Sequence, residues 1–584
     1  MDTSKLKTFA QAARRVLREQ VEAKLKQVLD PASSARRESP AAVERLEAHV
    51  KESGRESVID AVAYTWFNRF CALRYMDARG YTRVRIVSPS EGFTQPEILA
   101  EAKSGQFDDQ LTPETVQARV LALLNGTAPS TNPQSEAYRI LLVAACNSYR
   151  KILPSIFEHI ADEIELLMPD DLLAAGSVLS STVETLTEDD CKDVEILGWL
   201  YQFYISERKD AVMARKSAVP TEDIPAVTQL FTPHWIVRYL VENSLGRLWL
   251  LNRPGSRLRE HMPYYIEDSP RSLDIPVRAS SSSEGQGTDK NVHPTETQDD
   301  FLKIAKPEEI RLCDPAVGSG HMLTYAFDLL TLIYEEEGYA PTEIPALILR
   351  HNLHGLEICP RAAQLAELAL VFKAREKSRR FFQPEHFVRP HIIELQNVSF
   401  ADGELEDYLR TMGIPARRGT SEEGDGQECP SYGKLVQLLH QFDEAKNFGS
   451  LIQPCLTETE IHSVRTQIEN QKSQIENGNL LVASTHLKVL RVLEQAEALT
   501  QRYHVVVANP PYLNKFNSIL KGFIEDDFKD YKSDMFAAFI ARSTSLALRE
   551  GYLGFMSPFV WMFIASYEKL RARLIGEATI IALV

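Results

Sequence analysis

Residues 310–323, Ile-Arg-Leu-Cys-Asp-Pro-Ala-Val-Gly-Ser-Gly-His-Met-Leu, constrain the fold more than any other stretch of the chain. An apolar run ends in an acid, Asp314. A turn with two glycines, Gly318 and Gly320, follows, and then a helical pattern from about 321 to 336. Glycine permits a tight turn and close approach of the backbone to a ligand, and the helix N-terminus then faces that ligand. A lone Gly-x-Gly says little. An acid at a strand end, with two glycines before a helix, points to nucleotide-cofactor binding on a doubly wound α/β sheet.

Three further apolar runs extend the pattern. Leu353 to Ile358 reads as a second strand carrying Glu357 at its end. The spacing from Gly320 exceeds the roughly 20 residues of the dinucleotide fingerprint, and a short helix at 342–350 fills the excess. Glu357 is either placed to take both ribose hydroxyls of a nucleotide or is a solvated acid beside a strand. A helix at 361–376 leads to His391–Phe400, a third strand running into a loop. There Asn397 and Phe400 would hydrogen-bond and sandwich a base, a plain turn asparagine being the alternative.

The fourth run, Tyr503 to Ala508, stops at Asn509-Pro510-Pro511-Tyr512. Each proline removes a backbone donor and fixes φ, and the residue before each proline is held extended. The result is a rigid lip with the donor and acceptor of an amide on one short arm and a flat tyrosine face. Such a lip suits a planar amine. With proline at about 5% usage, the tetrapeptide arises by chance in roughly one in several hundred chains of this length, so its place after an apolar strand is a strong signal. A polar, lysine-bearing loop follows, then a helix from Asp534 whose Phe536 turns either toward the pocket or into the core. Residues 552–557 read as a strand and 563–576 as a helix. Thr579–Val584 opens another strand, and a bare apolar strand exposes a sheet edge, so the chain is expected to be the front part of a longer protein.

At 584 residues two or more domains are expected. Residues 1–215 read as a mainly helical N-terminal domain and 216–584 as the α/β domain. Leu6, Phe9, Ala13, Val16 and Leu17 mark the apolar face of a first helix over 4–30, with helices following at 40–53, 57–78, 135–151, 154–167 and 191–208. The basic residues of the first helix form a solvated face or contact a phosphate backbone. Glu22-Ala23-Lys24 and Glu101-Ala102-Lys103 are acid-x-Lys tripeptides without the preceding strand a nuclease needs, and are read as surface charges. In Phe231-Thr232-Pro233, Thr232 reads as a helix N-cap and Pro233 as the first helical residue, either a plain capped helix or a site favouring a carboxylate. Residues 253–300, with Ser280–Gly287, read as a mobile surface insertion. Residues 404–500 read as a polar loop and a helical hairpin on the surface.

Seven scattered cysteines without a CxxC pair argue for a reducing cytoplasm and against a zinc ribbon. No apolar run is long enough to span a membrane. A net charge of −16 leaves nucleic-acid contact to local patches or to parts beyond this chain.

Taken together, the order Phe-Thr-Pro, Asp-Pro-x-x-Gly-x-Gly, Asn-Pro-Pro-Tyr resembles the gamma-type amino-methyltransferases dependent on S-adenosylmethionine, as found in adenine-specific DNA methylases. More closely, Glu195–Arg208, Asp314–Glu337 and Leu353–Ile358 resemble the PglX family of BREX phage-defence adenine methyltransferases. The resemblance implies a Rossmann-like methyltransferase sheet interrupted by a helical insertion, with its last strand and hairpin and the sequence-reading half absent. It implies that Phe231, Thr232, Asp314, Ala316, Gly318, Gly320 and Glu357 hold S-adenosylmethionine, with Asn397 near its adenine. Asn509 and the Pro510 carbonyl would accept hydrogen bonds from the target amine within Asn509–Tyr512, and Tyr512 and Phe536 would contact an adenine flipped out of double-stranded DNA. Direct transfer needs no metal and no covalent enzyme intermediate. Other defence-system proteins are the implied partners. The alternatives are the modification subunit of a restriction system, transfer to another amine, and a non-catalytic cofactor-binding scaffold.

Overall fold

The computed structural model describes residues 2–157, 162–215, 217–230, 232–267, 301–413, 432–470 and 480–584. Five parallel strands, β1 (Leu312–Asp314), β2 (Leu353–Glu357), β3 (His391–Glu394), β4 (Tyr503–Ala508) and β5 (Ala547–Phe555), form one sheet in the order β3-β2-β1-β4-β5. The doubly wound sheet with a preceding helical region expected from the sequence is therefore present. Strand order reverses beside β1, so a crevice opens beyond the carboxyl ends of β1 and β4, where ligands bind in such sheets.

The strands read as unbroken apolar runs because both faces are covered. Leu312, Val505 and Val507 point into a core shared with the N-terminal helices and with the helices His321–Glu336 and Pro360–Lys377. Cys313, Leu356 and Val506 point into a second core, formed with Leu435, Leu438, Ile461, Val464, Val492 and Leu493. The region expected to be a surface hairpin thus supplies the second covering layer of the sheet. Buried Arg542, on the helix Met535–Leu546, fastens it by donating to the carbonyls of Ser450, Ile452 and Leu499 at 3.2, 3.0 and 2.7 Å.

The first helix, Thr3–Leu29, lies between the helices Arg55–Ala78 and Glu195–Met213 and buries Leu6, Phe9, Ala13, Leu17, Val21 and Leu25. Val16, expected inside, is 38% exposed. Several of its cations have partners: Arg14 meets Asp60 and Glu207, Arg18 meets Glu56 at 2.7 Å, and Lys24 meets Asp170 at 2.7 Å. These pairings favour the solvated-face reading over a phosphate track, and they place Lys24 of the first acid-x-Lys tripeptide in an ordinary ion pair.

Elsewhere the structure departs from the sequence reading in four places. Of the expected 154–167 helix, Asp162–Leu166 is helical and 158–161 lie outside the described residues. Most of the 253–300 insertion, from 268 on, also lies outside them, yet 253–267 is packed: Arg253 pairs with Glu337 at 3.1 Å and Tyr264 N–H donates to buried Glu242 at 2.6 Å. The loop after Tyr512 contains a helix, Ser518–Asp527, capped by Asn517. Residues 579–584 form no strand, because among the described residues nothing pairs with the outer edge of β5.

Candidate active site

The turn after β1 is built by backbone chemistry. Gly318 and Gly320 have φ of 55° and 92°, the left-handed region that favours glycine. A Cβ on Gly320 would lie 3.1 Å from Ala366 Cα, so this glycine brings the helix Pro360–Lys377 against the turn. Gly320 serves packing and does not line the cavity. Asp314 Oδ1 accepts from Ala316 N–H at 3.0 Å. Glu357 accepts from Gly318, Ile358 and Cys359 N–H at 2.8, 3.0 and 2.9 Å. Three of roughly four acceptor sites of a carboxylate are thereby filled, which leaves capacity for one hydroxyl rather than the pair expected. Burial pushes Asp314 up to about 8, the nearby Glu357 charge adds to this, and the Ala316 N–H opposes it. Burial likewise raises Glu357, against the pull of its three N–H donors.

The strap before the helix His234–Val241 runs over this turn. Lys209 Nζ donates to Gln229 O at 2.8 Å, and Gln229 Oε1 sits beside Gly318. Thr232 is buried but is not the N-cap expected: Pro233 occupies that position and no side chain caps it. Instead the Thr232 hydroxyl accepts from Asn509 Nδ2 at 3.1 Å. Phe231 lies outside the described residues.

Asn509 follows β4. Tyr512 Oη lies 2.8 Å from Asn509 Oδ1 and 2.9 Å from Met556 O, the residue just past β5. Burial and nearby Asp534 push the Tyr512 phenol up to about 12, so it stays protonated as a donor. Asp534 Oδ1 accepts from Leu513 and Phe536 N–H and pins the loop from below. Phe536 is 1% exposed, edge-on to Tyr512 with centroids 6.2 Å apart, in a cluster with Trp561 and Tyr567. It supports the tyrosine from behind and does not face the cavity; on the same helix Met535 and Phe539 do.

One cavity of about 940 Å³, open mouth included, joins these parts. It is lined by the predicted Thr232, Asp314, Ala316, Gly318, Glu357, Asn509 and Pro511, while Pro510 is buried. Asn397 is exposed and outside it. Its Oδ1 accepts from Lys446 N–H at 2.7 Å, which holds the segment 445–451 so that Asn447, Phe448 and Ser450 line the cavity. Ser450 Oγ reaches Pro315 O at 2.5 Å, and Asn447 Oδ1 accepts from Thr221 Oγ1 and Asn517 Nδ2 at 2.9 Å each.

Sequence reasoning missed this segment, since it lies inside an insertion without a motif. It also missed Gly198, Gln202 and His321. The stretch Glu195–Arg208 carried the family resemblance, and that was the available signal. A Cβ on Gly198 would come within 2.6 Å of His321 Cε1 and 2.8 Å of Ser319 Oγ, so only glycine lets this helix reach the turn. Burial lowers His321 to about 4, so the ring is neutral near pH 7.

A parallel sheet with an acid-glycine turn after β1, an acid after β2 and Asn-Pro-Pro-Tyr after β4 defines an α/β methylase-type domain. Residues 351–584 match the family model described as Eco57I restriction-modification methylase. The chain is 37% identical over 552 residues to the adenine-specific methyltransferase BrxX of Escherichia coli O9:H4 (strain HS), covering 92% of this chain and 43% of that protein. It is 31% identical over 621 residues to the adenine-specific methyltransferase PglX of Lacticaseibacillus casei (strain Zhang), covering 98% and 48%. A solved DrdV–DNA complex aligns with 98% of this chain and 38% of its own at 13% identity and a TM-score of 0.35, too low to establish a shared fold. The family resemblance read from the sequence is borne out as a similarity: the chain resembles BrxX and PglX over nearly its whole length, and residues 351–584 match the restriction-modification methylase model. It spans less than half the length of these curated relatives.

Proposed function

We propose that this chain carries the catalytic part of a DNA adenine N6 methyltransferase of a phage-defence system, using S-adenosylmethionine. The observation that carries the reading is Asn509, fixed at the end of β4 and sharing one cavity with the acid-glycine turn of β1.

The cavity fits this cofactor in chemistry. Glu357 has room for a hydroxyl, Ile358, Leu395 and Phe448 offer an apolar slot for a purine, and the glycine turn lets the backbone come close. When bound, the cofactor supplies an electrophilic methyl group on a sulfonium, whose electron pair stays on sulfur as the amine nitrogen forms its bond to carbon. The chain's own residues present the amine. Asn509 Nδ2 is tied to Thr232, so the amide cannot turn over, and Oδ1 keeps a second lone pair beside the one directed at Tyr512. An exocyclic amine is a poor nucleophile because its lone pair is delocalised into the ring. An acceptor held on one of its hydrogens favours the pyramidal nitrogen that can react and stabilises the positive charge that develops there, and the methylated nitrogen then gives up one proton to solvent. Tyr512, anchored at its hydroxyl, presents a ring to a base that has left the duplex. Double-stranded DNA and other defence proteins are the partners that this reading assigns.

The test is Asn509→Ala in the full-length protein, with adenine methylation measured on DNA and cofactor binding measured separately. Removing one such preorganised group lowers turnover roughly 10²- to 10³-fold, with cofactor affinity little changed. Methylation that survives at wild-type rate refutes the acceptor role. Absence of modified adenine in cells carrying the unaltered protein refutes the activity and leaves the scaffold reading.

A further inference from the structure

Besides the segment 445–451, the cavity has a wall that the methylase pattern does not supply. It comes from the helix Glu195–Met213 in the N-terminal region. Gly198, Gln202 and Lys209 recur at spacings that place them along one helix face. Gly198 closes on Ser319 and His321, and Lys209 holds the carbonyl of Gln229 at 2.8 Å. Between them Gln202 lines the cavity. Its Oε1 is buried and accepts no hydrogen bond from any described residue. A buried amide oxygen without a donor is costly, and one facing a ligand cavity is placed for a donor that the ligand brings.

The surroundings say which donor. The two buried carboxylates of the cavity, Asp314 and Glu357, sit at the ends of β1 and β2. One turn before Gln202 on the same helix face, Gly198 closes on Ser319 and His321, which line the cavity with it. None of these carries a full charge at neutral pH, and His321 is neutral because it is buried. Lys209, two turns further along the helix, is engaged with the Gln229 carbonyl and does not itself line the cavity, so a cationic donor finds in Gln202 Oε1 an acceptor that no cation of the wall occupies.

We propose that Gln202 accepts a hydrogen bond from the α-ammonium group of the cofactor's amino-acid end, so that the N-terminal helical region is part of the cofactor site. This rests on the cofactor reading above. Charge-assisted hydrogen bonds are the stronger kind, so the contact discriminates between adenosyl compounds with and without an amino-acid end.

The experiment is calorimetric titration of the 584-residue chain, wild type and Gln202 variants, with two probes. The probes are S-adenosylmethionine and 5′-methylthioadenosine, which lacks the amino-acid end. Gln202→Leu is expected to weaken S-adenosylmethionine roughly ten- to a hundredfold and to leave methylthioadenosine unchanged. Gln202→Glu, which keeps an acceptor, is expected to bind S-adenosylmethionine at least as well as wild type. Equal weakening of both probes in Gln202→Leu means a collapsed wall and overturns the proposal, as does no weakening of either. Loss of S-adenosylmethionine in Gln202→Glu also overturns it. A wild-type chain that binds neither probe refutes the cofactor reading itself, and this proposal with it.

Discussion

Asp314 holds a proton at neutral pH in the folded chain, since burial raises it to about 8, whereas in the unfolded chain an aspartate titrates near 3.9. Between those values the folded state binds more protons than the unfolded state. Stability therefore falls as pH rises from about 4 toward 8 on account of this group. Asp314→Asn keeps an oxygen for the Ala316 N–H and removes the titration. Thermal midpoints recorded from pH 5 to 8 should fall less steeply in this variant, and an unchanged slope would show that Asp314 is charged throughout. Asp314 was legible in the sequence because an acid at the end of an apolar run stands out. Asn509 and Tyr512 were legible because two prolines make a strand end that structure alone does not require. The job of Thr232 was not legible: its hydroxyl meets Asn509, 277 residues away, whereas the sequence around it shows only the local cap that Pro233 in fact displaces. The direction of Phe536, open in the sequence between pocket and core, was not legible for a related reason. A helix carries bulky residues on several faces, and Met535 and Phe539, not Phe536, took the cavity side.

At the level of elements, the strands and their order of use were readable, because runs such as Tyr503–Ala508 are apolar throughout and end in chemistry. The region between β3 and β4 was not. Its leucines and valines declare an apolar face, but periodicity does not say which surface that face meets. It meets the sheet, and on the way segment 445–451 becomes a wall of the cavity. That segment is held by the Asn397 side chain on Lys446 N–H at 2.7 Å, by Ser450 on Pro315 O and by Arg542 on Ser450 O. Asn397→Ala removes the first hold and leaves the others, including those of Thr221 and Asn517 on Asn447. Net hydrogen bonds are worth about 1 kcal/mol, so cofactor affinity should drop roughly fivefold at most. Amide exchange across 445–451 should quicken while β4 stays protected. A loss of affinity with unaltered exchange in this segment would mean that Asn397 touches the ligand directly, as the sequence reading had it.

On the scale of the molecule, the helical region and the sheet meet in one continuous core. Tyr75 stacks on Phe372, with centroids 4.9 Å apart and planes 5° off parallel. Arg79 pairs with Glu376 at 3.0 Å, and Tyr201 Oη lies 3.1 Å from Cys359 Sγ, two residues past Glu357. The Arg361 guanidinium sits over the Tyr64 ring at 4.4 Å. These contacts run the length of the helix Pro360–Lys377, from the cavity end at Cys359 to its far end at Glu376. A helix held on one side by a sheet and on the other by Tyr75 and Tyr201 cannot lose either without exposing apolar surface. Tyr75 is 1% exposed, and truncating a buried aromatic costs about 3–5 kcal/mol. Tyr75→Ala is therefore expected to lower the midpoint of the N-terminal helices and of the sheet together. Exchange probes in the helix Arg55–Ala78 and in β4 should shift by the same amount, the mark of a shared transition. Separate shifts, with β4 unmoved, would show two units that merely touch. In that case the wall formed by Gly198 and Gln202 would open without unfolding the sheet.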